Sequence, residues 1–236
     1  MDTKLIPKNN NIIDIIRGIA FILMLIHHIF YFYDITHNTS DSSHPIISNI
    51  GNISRHIFIF LTGFLLSYAY KQNSTNYIFK RVKRSLQILL AALLITIITY
   101  IYYPNKFIRF GILHFLGLST LILAPIVPYK QLYIIILFIS IILHYNINKI
   151  PSINPTINTI LGSHIHYNMI DYFSLLNWLP LLILGMMFGS LNINLDIFDN
   201  FDFINKPNII SALGKKSLEL YIIHIIILIV YYNHCI

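Results

Sequence analysis

The segment "IIDIIRGIAFILMLIHHIFYFYD", residues 12–34, decides the fold. A bilayer-crossing helix needs roughly 20 predominantly apolar residues, and this run supplies them. Yet Asp14, Arg17, His27 and His28 stand inside it. Ionisable groups in a membrane helix are costly, so they turn toward a bundle interior or a wet cavity. The segment therefore reads as a first membrane span with a polar face of its own.

Working outward, the rest of the chain has the same character. Its 236 residues are 56% hydrophobic and 11% charged, against about 25% charged in a typical soluble domain. The fold class this dictates is all-α: a polytopic membrane helix bundle, one transmembrane domain over residues 1–236. Apolar runs place about seven spans, near 12–33, 46–70, 86–103, 107–127, 131–146, 173–190 and 217–234. The segment 147–172, rich in Asn, Ser, Thr and Pro, reads as an outer loop. No small-residue cleavage site follows the first apolar run, which reads as a retained span rather than a signal peptide. No internal repeat is evident.

Charge orients the bundle. With a cytoplasmic N-terminus, the inner side holds Lys4, Lys8, Lys71, Lys80, Arg81, Lys83, Arg84, Lys130, Lys206, Lys215 and Lys216. The outer loops then hold Lys106 and Lys149, with Arg55 and Arg109 near that face, which is the positive-inside bias. The same bias accounts for the net charge of +7 without any nucleic-acid partner. Tyr31, Tyr33, Tyr100, Tyr102 and Tyr103 fall where an outer aromatic belt is expected. The single cysteine, Cys235, excludes an intrachain disulfide and leaves no cysteine-based metal site.

Helical spacing separates the two adjacent histidines. Residues 14, 17, 21, 24 and 28 share a stripe at a period of 3.6, so His28 lies on the face of Asp14 and Arg17 while His27 points away. Asp14 and Arg17, three apart, are spaced to pair. At 1.5 Å per residue, His28 lies roughly 16 Å beyond Arg17. One helix face thus offers an ion pair toward the cytoplasm and an imidazole toward the outside, as a site reached from both sides would require.

Other spans carry similar faces. Gly111 and Gly117 bracket His114, and small residues there admit another backbone beside the imidazole. Ser217, Tyr221, His224 and Leu228 share one side of the last span; His56, Phe60, Gly63 and Ser67 share one side of the second. Gly185 and Gly189, in "GMMFG", form a packing pair. Asp171 and Asn177 flank or enter the sixth span, with Trp178 next to Asn177.

Each reading has a plainer rival. A membrane histidine such as His56 also serves as an interhelical hydrogen-bond donor, and His27 suits packing or the lipid interface. Glu219 is spaced to pair with Lys215. Arg55 and Arg109 can snorkel outward. His164 and His166 alternate as extended-chain metal ligands do, but one pair without further ligands is a weak site, and no metal is expected. The run Lys80, Arg81, Lys83 and Arg84 is a topology signal that also suits the phosphates of a cytosolic cofactor.

Four blocks carry a family resemblance. "IIDIIRGIAFILMLIHH" (12–28), "FIRFGILHFLGLS" (107–119) and "LGKKSLELYIIH" (213–224), with "FIFLTGFLLS" (58–67) more loosely, resemble the heparan-alpha-glucosaminide N-acetyltransferase catalytic-domain family in the right order. The wider group of transmembrane acyltransferases, which includes the acyltransferase-3 proteins, shares an Arg, ten residues, then His in its first span. Arg17 and His28 fit that spacing, and His27 does not. The resemblance implies transfer of an acyl group, acetyl above all, from cytosolic acetyl-CoA (acyl-CoA) to a sugar or glycan across the membrane. His28, Arg17, Asp14 and His114 are its catalytic candidates. Arg55, His56, Asn177, Trp178 and His224 are candidates for the acceptor, and Lys80, Arg81, Lys83 and Arg84 for the CoA phosphates. The lysosomal enzyme has more spans and a luminal domain, and its histidine is placed just after the first span, where this chain offers His37 and His44 as rivals. Specificity for glucosamine is therefore not carried over, and a homodimer is left open.

Two readings of other classes stand beside this one. Stacked intramembrane Asp, Arg and His residues also suit a small proton-coupled transporter, although no inverted repeat accompanies them. An inactive family scaffold is the third.

Overall fold

The computed structural model of the chain describes residues 11–164, 167–191, 193, 195 and 208–234. Lys4, Lys8, His166, Lys206 and Cys235 lie outside the described residues. Among the described residues every regular element is helical: α1 Asn11–His37, α2 Pro45–Gln72, α3 Tyr77–Tyr102, α4 Ile112–Leu123, α5 Gln131–Tyr145, α6 Pro155–Leu161, α7 Leu175–Ser190, α8 Ile209–Lys215 and α9 Ser217–His234, with three short 3-10 turns. Three of them, α1, α2 and α3, are long and apolar enough to cross a membrane. The shorter apolar helices α4, α5, α7 and α9 each fall inside an expected span.

The chain forms two compact units. One comprises the chain up to Ile57 with Ile193–Tyr232, the other Phe58–Asn192 with Asn233–Ile236.

In the first unit α1 presents two different faces. Toward α2, Ser54 Oγ donates to the Ala20 carbonyl at 2.7 Å, and the His27 ring lies against Gly51, where a Cβ would strike it. Toward α8, Gly18 makes room for the Ile210 carbonyl and Gly214 for the Asp14 carbonyl. Glycine is required at these two positions because the obstacle is backbone, which cannot swing aside as a side chain can. The helix α8 was not expected, since the last helix was placed from residue 217. Its origin is local: the Asn208 side chain caps it, accepting from Ser211 N at 2.7 Å. Lys216, at φ −104° and ψ 19°, separates α8 from α9.

The turn from α1 to α2 is organised by Asp34. Its carboxylate accepts from the Thr39 hydroxyl at 2.5 Å and from the backbone nitrogens of Asp41 and Ser42 at 2.8 and 2.7 Å. Asn38 turns the chain with a left-handed φ of 52°.

In the second unit the latter half of α2 packs on α7 through glycines on both. Gly63 faces the Leu182 carbonyl, and Gly185 and Gly189 face the carbonyls of Phe60 and Phe64, so "GMMFG" packs as its spacing predicts. Three expectations change here. Helix α3 begins at Tyr77 rather than 86, because the basic run is itself helical: Lys80, Lys83 and Arg84 stand exposed on its first turns and Arg81 lies over the Tyr77 ring. Helix α4 begins at Ile112 rather than 107, because the Asp171 carboxylate accepts the Ile112 N–H at 3.0 Å and sets the first turn there. The segment 147–172 is not all loop: Asn154 caps α6, accepting from Ile157 N at 2.8 Å, Pro155 opens it, and Gly162 closes it at φ 99°.

The α1–α8 crossing yields a stability test. Gly214→Ala is expected to destabilise the protein by about 1–3 kcal/mol, the range for overpacking a tight contact. Ala212→Ser, at an exposed position of α8, should change stability by no more than about 0.5 kcal/mol. Thermal unfolding of the purified protein in detergent reads both. A Gly214→Ala midpoint equal to wild type would show that the two helices separate freely.

Candidate active site

The site grows from the stripe on α1. At its N-terminal end Arg17 Nη1 donates to Asp14 Oδ1 at 2.9 Å, beside the point where Gly214 meets the Asp14 backbone. One turn on, buried Phe21 stands edge-on to His224 of α9, ring centres 5.6 Å apart. Then His28 meets His224: Nδ1 of the first lies 2.9 Å from Nε2 of the second. The ring planes differ by 11° and the ring centres are 5.2 Å apart. That separation is the nitrogen–nitrogen distance plus a ring radius at each end. The imidazoles therefore lie edge to edge in nearly one plane, the geometry of an in-plane N–H···N bond rather than of stacking. His224 is 7% exposed, and its other nitrogen, Nδ1, lies 3.0 Å from the Leu220 carbonyl. Tyr221 and Phe32 stand edge-on to His28 at 6.2 and 6.5 Å. His28 is only partly buried, and among the described residues its Nε2 has no hydrogen-bond partner.

His27, as its spacing predicts, belongs to a different surface. Its ring lies nearly parallel to Tyr31 at 6.0 Å and fills the space left by Gly51. On α2, Arg55 Nε donates to the Gly51 carbonyl at 3.3 Å, and the guanidinium is within electrostatic reach of His28. His56 is exposed and bonds through Nδ1 to the Asn52 carbonyl of its own helix at 2.6 Å. His37 is exposed and stacked on Tyr33 at 4.1 Å; His44 is exposed after a 3-10 turn. Glu219 stands exposed on α9.

The remaining candidates lie in the second unit. His114 Nδ1 accepts the Gly111 N–H at 3.3 Å, and its Nε2 lies 3.3 Å from Thr96 Oγ1, whose proton goes to the Ile108 carbonyl at 2.8 Å. Both ring nitrogens thus hold the α3–α4 turn. Of the two flanking glycines, expected to admit another backbone beside the imidazole, Gly111 faces the Asp171 carboxylate and Gly117 faces Leu89 of α3, chiefly its side chain with its backbone nitrogen 3.4 Å from where a Cβ would stand. Asn177 Oδ1 lies 3.1 Å from His144 Nδ1, and Trp178 packs on Phe173 at 5.1 Å. Lys80, Lys83 and Arg84 are exposed on the first turns of α3. Arg81 lies over the Tyr77 ring at 5.5 Å, and its buried Nε has no hydrogen-bond partner. His164 bonds the Ile150 carbonyl at 2.8 Å, and no group of three potential metal ligands occurs among the described residues.

Two pairs therefore lie along one face of α1: Asp14 with Arg17 near its start, and His28 with His224 of α9 further along, with Arg55 and His56 on α2 of the same unit. Sequence reasoning missed the Leu220 carbonyl behind His224 and the capping role of Asp171. A backbone carbonyl has no residue-type signal, and Asp171 caps a helix that begins 59 residues earlier in the chain, a pairing that local spacing does not reveal.

The family model described as "Heparan-alpha-glucosaminide N-acetyltransferase, catalytic" matches residues 10–226. No curated protein and no solved structure matches the chain. The matched stretch takes in all four sequence blocks and every residue of the α1–α9 cluster. With three helices able to cross a bilayer, this is an integral membrane protein of an acetyltransferase type, and it belongs to the heparan-alpha-glucosaminide N-acetyltransferase catalytic-domain family.

Proposed function

We propose that the protein transfers an acetyl group from cytosolic acetyl-CoA to a carbohydrate on the opposite side of the membrane, through a bundle of seven spans with its N-terminus inside. The observation that carries this reading is the imidazole of His28. It stands on the first span ten residues beyond Arg17, tied to α9 by one nitrogen and with the other unengaged among the described residues. A neutral imidazole so held is a general base in waiting.

The step is a simple acyl transfer. The acceptor O–H or N–H gives its proton to His28 Nε2 as the oxygen or nitrogen attacks the thioester carbonyl. The tetrahedral intermediate then loses CoA as its C–S bond breaks, and the proton leaves with the thiolate. Arg55, in electrostatic reach of His28, is the group we assign to the developing oxyanion. The Asp14–Arg17 pair fixes the inner end of the same face. For the CoA phosphates we assign the exposed cations Lys80, Lys83 and Arg84 with Arg81, whose orphaned Nε supports an anion nearby. His114 is fully used in its own turn and receives no step. The heparan α-glucosaminide in the family model's description is the first acceptor to test.

Labelled acetyl-CoA offered to membrane vesicles, with a panel of amino and neutral sugars, tests the reading directly. Covalent label in a sugar is the expected result, and pH-dependent uptake of solute without labelling would instead make the protein a carrier. His28→Ala is expected to lower transfer by about 10²–10⁴-fold, the contribution of a positioned acid–base group, while membrane insertion survives. Wild-type activity in that variant removes His28 from the mechanism.

Replacing Lys80, Lys83 and Arg84 together by Ala should raise the KM for acetyl-CoA about tenfold, with little change in kcat, since charged surface contacts are each modest. The same variant should lose most of the dependence of KM on ionic strength. An unchanged KM and salt slope would move the phosphate site elsewhere.

A further inference from the structure

The two ring nitrogens of a neutral imidazole are not equivalent: one donates, the other accepts, and a base must present the acceptor. Neighbouring groups decide which nitrogen that is. Here the deciding group is a backbone carbonyl. The Leu220 oxygen, 3.0 Å from His224 Nδ1, can only accept, so the proton of His224 sits on Nδ1. Its Nε2 is then a lone pair, and the hydrogen bond across the 2.9 Å gap needs a proton on His28 Nδ1. The proton of His28 is thereby committed to the side facing α9, and Nε2 is left bare. The opposite arrangement would set two lone pairs against each other between His224 Nδ1 and the Leu220 carbonyl.

We infer that His224 is a positioning residue that fixes the tautomer of His28: the chain Leu220 carbonyl, His224, His28 holds Nε2 of His28 unprotonated and aimed as the base. This rests on the proposed acyl-transfer reading and deepens it. The same bond serves the second half of the proton's journey. When Nε2 takes the acceptor's proton, His28 becomes an imidazolium whose Nδ1–H still points at the His224 lone pair. The positive charge is shared across the pair until the proton returns through Nε2 to the departing thiolate. No proton is lost to the membrane, and no other reactant is needed. Buried Phe21, edge-on to His224, and Tyr221, edge-on to both rings, keep the two imidazoles coplanar. His114 marks the contrast. There Nδ1 accepts a backbone N–H and Nε2 carries the proton, so its local partners select the other tautomer.

The test pairs spectroscopy on the unaltered protein with two substitutions. Nitrogen-15 NMR of histidine-labelled full-length protein in bilayers, with the His28 signals assigned by their loss in His28→Asn, should show Nδ1 protonated and Nε2 bare. The reverse pattern overturns the inference whatever the variants do. For activity, acetyl transfer is followed with acetyl-CoA and whichever sugar the wild type labels. His224→Phe keeps a ring but removes the acceptor, and is expected to lower kcat about 10²-fold with KM for acetyl-CoA nearly constant. His224→Gln places a carbonyl oxygen near the former Nε2 and should recover at least about tenfold of that loss. Wild-type kcat in His224→Phe, or equal losses in Phe and Gln variants, would overturn the role of His224. If His28→Ala is itself fully active, the underlying reaction scheme fails instead, so the two failures are told apart.

Discussion

A polar group inside a bilayer has no water to turn to, so its partner must come from the protein. That single constraint orders most of what is observed around α1. Asp14 and Arg17 neutralise one another across one helical turn. Ser54 on α2 spends its hydroxyl on the Ala20 carbonyl, and Ser85 on α3 spends its own on Gly117 at 2.7 Å. His224 finds the Leu220 carbonyl behind it and His28 in front. Each partner is fixed because the alternative is an unmet donor or acceptor in hydrocarbon, at a cost of several kcal/mol. The two imidazoles are therefore locked in orientation by solvation as much as by packing.

Close approach of backbones makes this possible. At Gly18 and Gly214, α1 and α8 come near enough that no side-chain carbon fits. The tight crossing anchors the start of α9, which a single residue, Lys216, separates from the end of α8. Register then does the rest: Tyr221, His224 and Leu228 fall at helical intervals on the buried side of α9, and His224 arrives opposite His28. Lipid offers no hydrophobic drive between helices, so small residues and hydrogen bonds are the means by which such a register is held.

How much of this was legible depended on whether the signal was local or distant. The separation of His28 from His27 was legible, because it follows from a 3.6-residue period within one helix. The Asp14–Arg17 pair, three residues apart, was legible for the same reason. The buried side of α9 was legible as a stripe, but not what it faces: His28 and His224 are 196 residues apart, and periodicity says nothing about which stripes meet. Two helices were overlooked although their caps are written in the chain. Asn154–Pro155 is an N-cap followed by a first-turn proline, and Asn208 precedes Ser211 at cap spacing. Both helices are seven residues long, and hydropathy windows tuned to a bilayer pass over them. The late expected start of α3 has the opposite cause, since a helix does not end where the membrane does.

Of the histidines brought forward as catalytic candidates, chemistry rather than depth distinguishes one. His114 uses both nitrogens to hold the α3–α4 turn. His56 and His37 bond back to carbonyls of their own helices and stand exposed. His27 fills a notch at Gly51. His28 alone among these is held through Nδ1 by another helix while Nε2 has no partner among the described residues. A histidine that must accept a proton has to leave one nitrogen open. The arrangement at His28, one nitrogen anchored and the other open among the described residues, is thus sound as acid–base chemistry, and a family of acetyl-transferring membrane proteins is where such a side chain belongs.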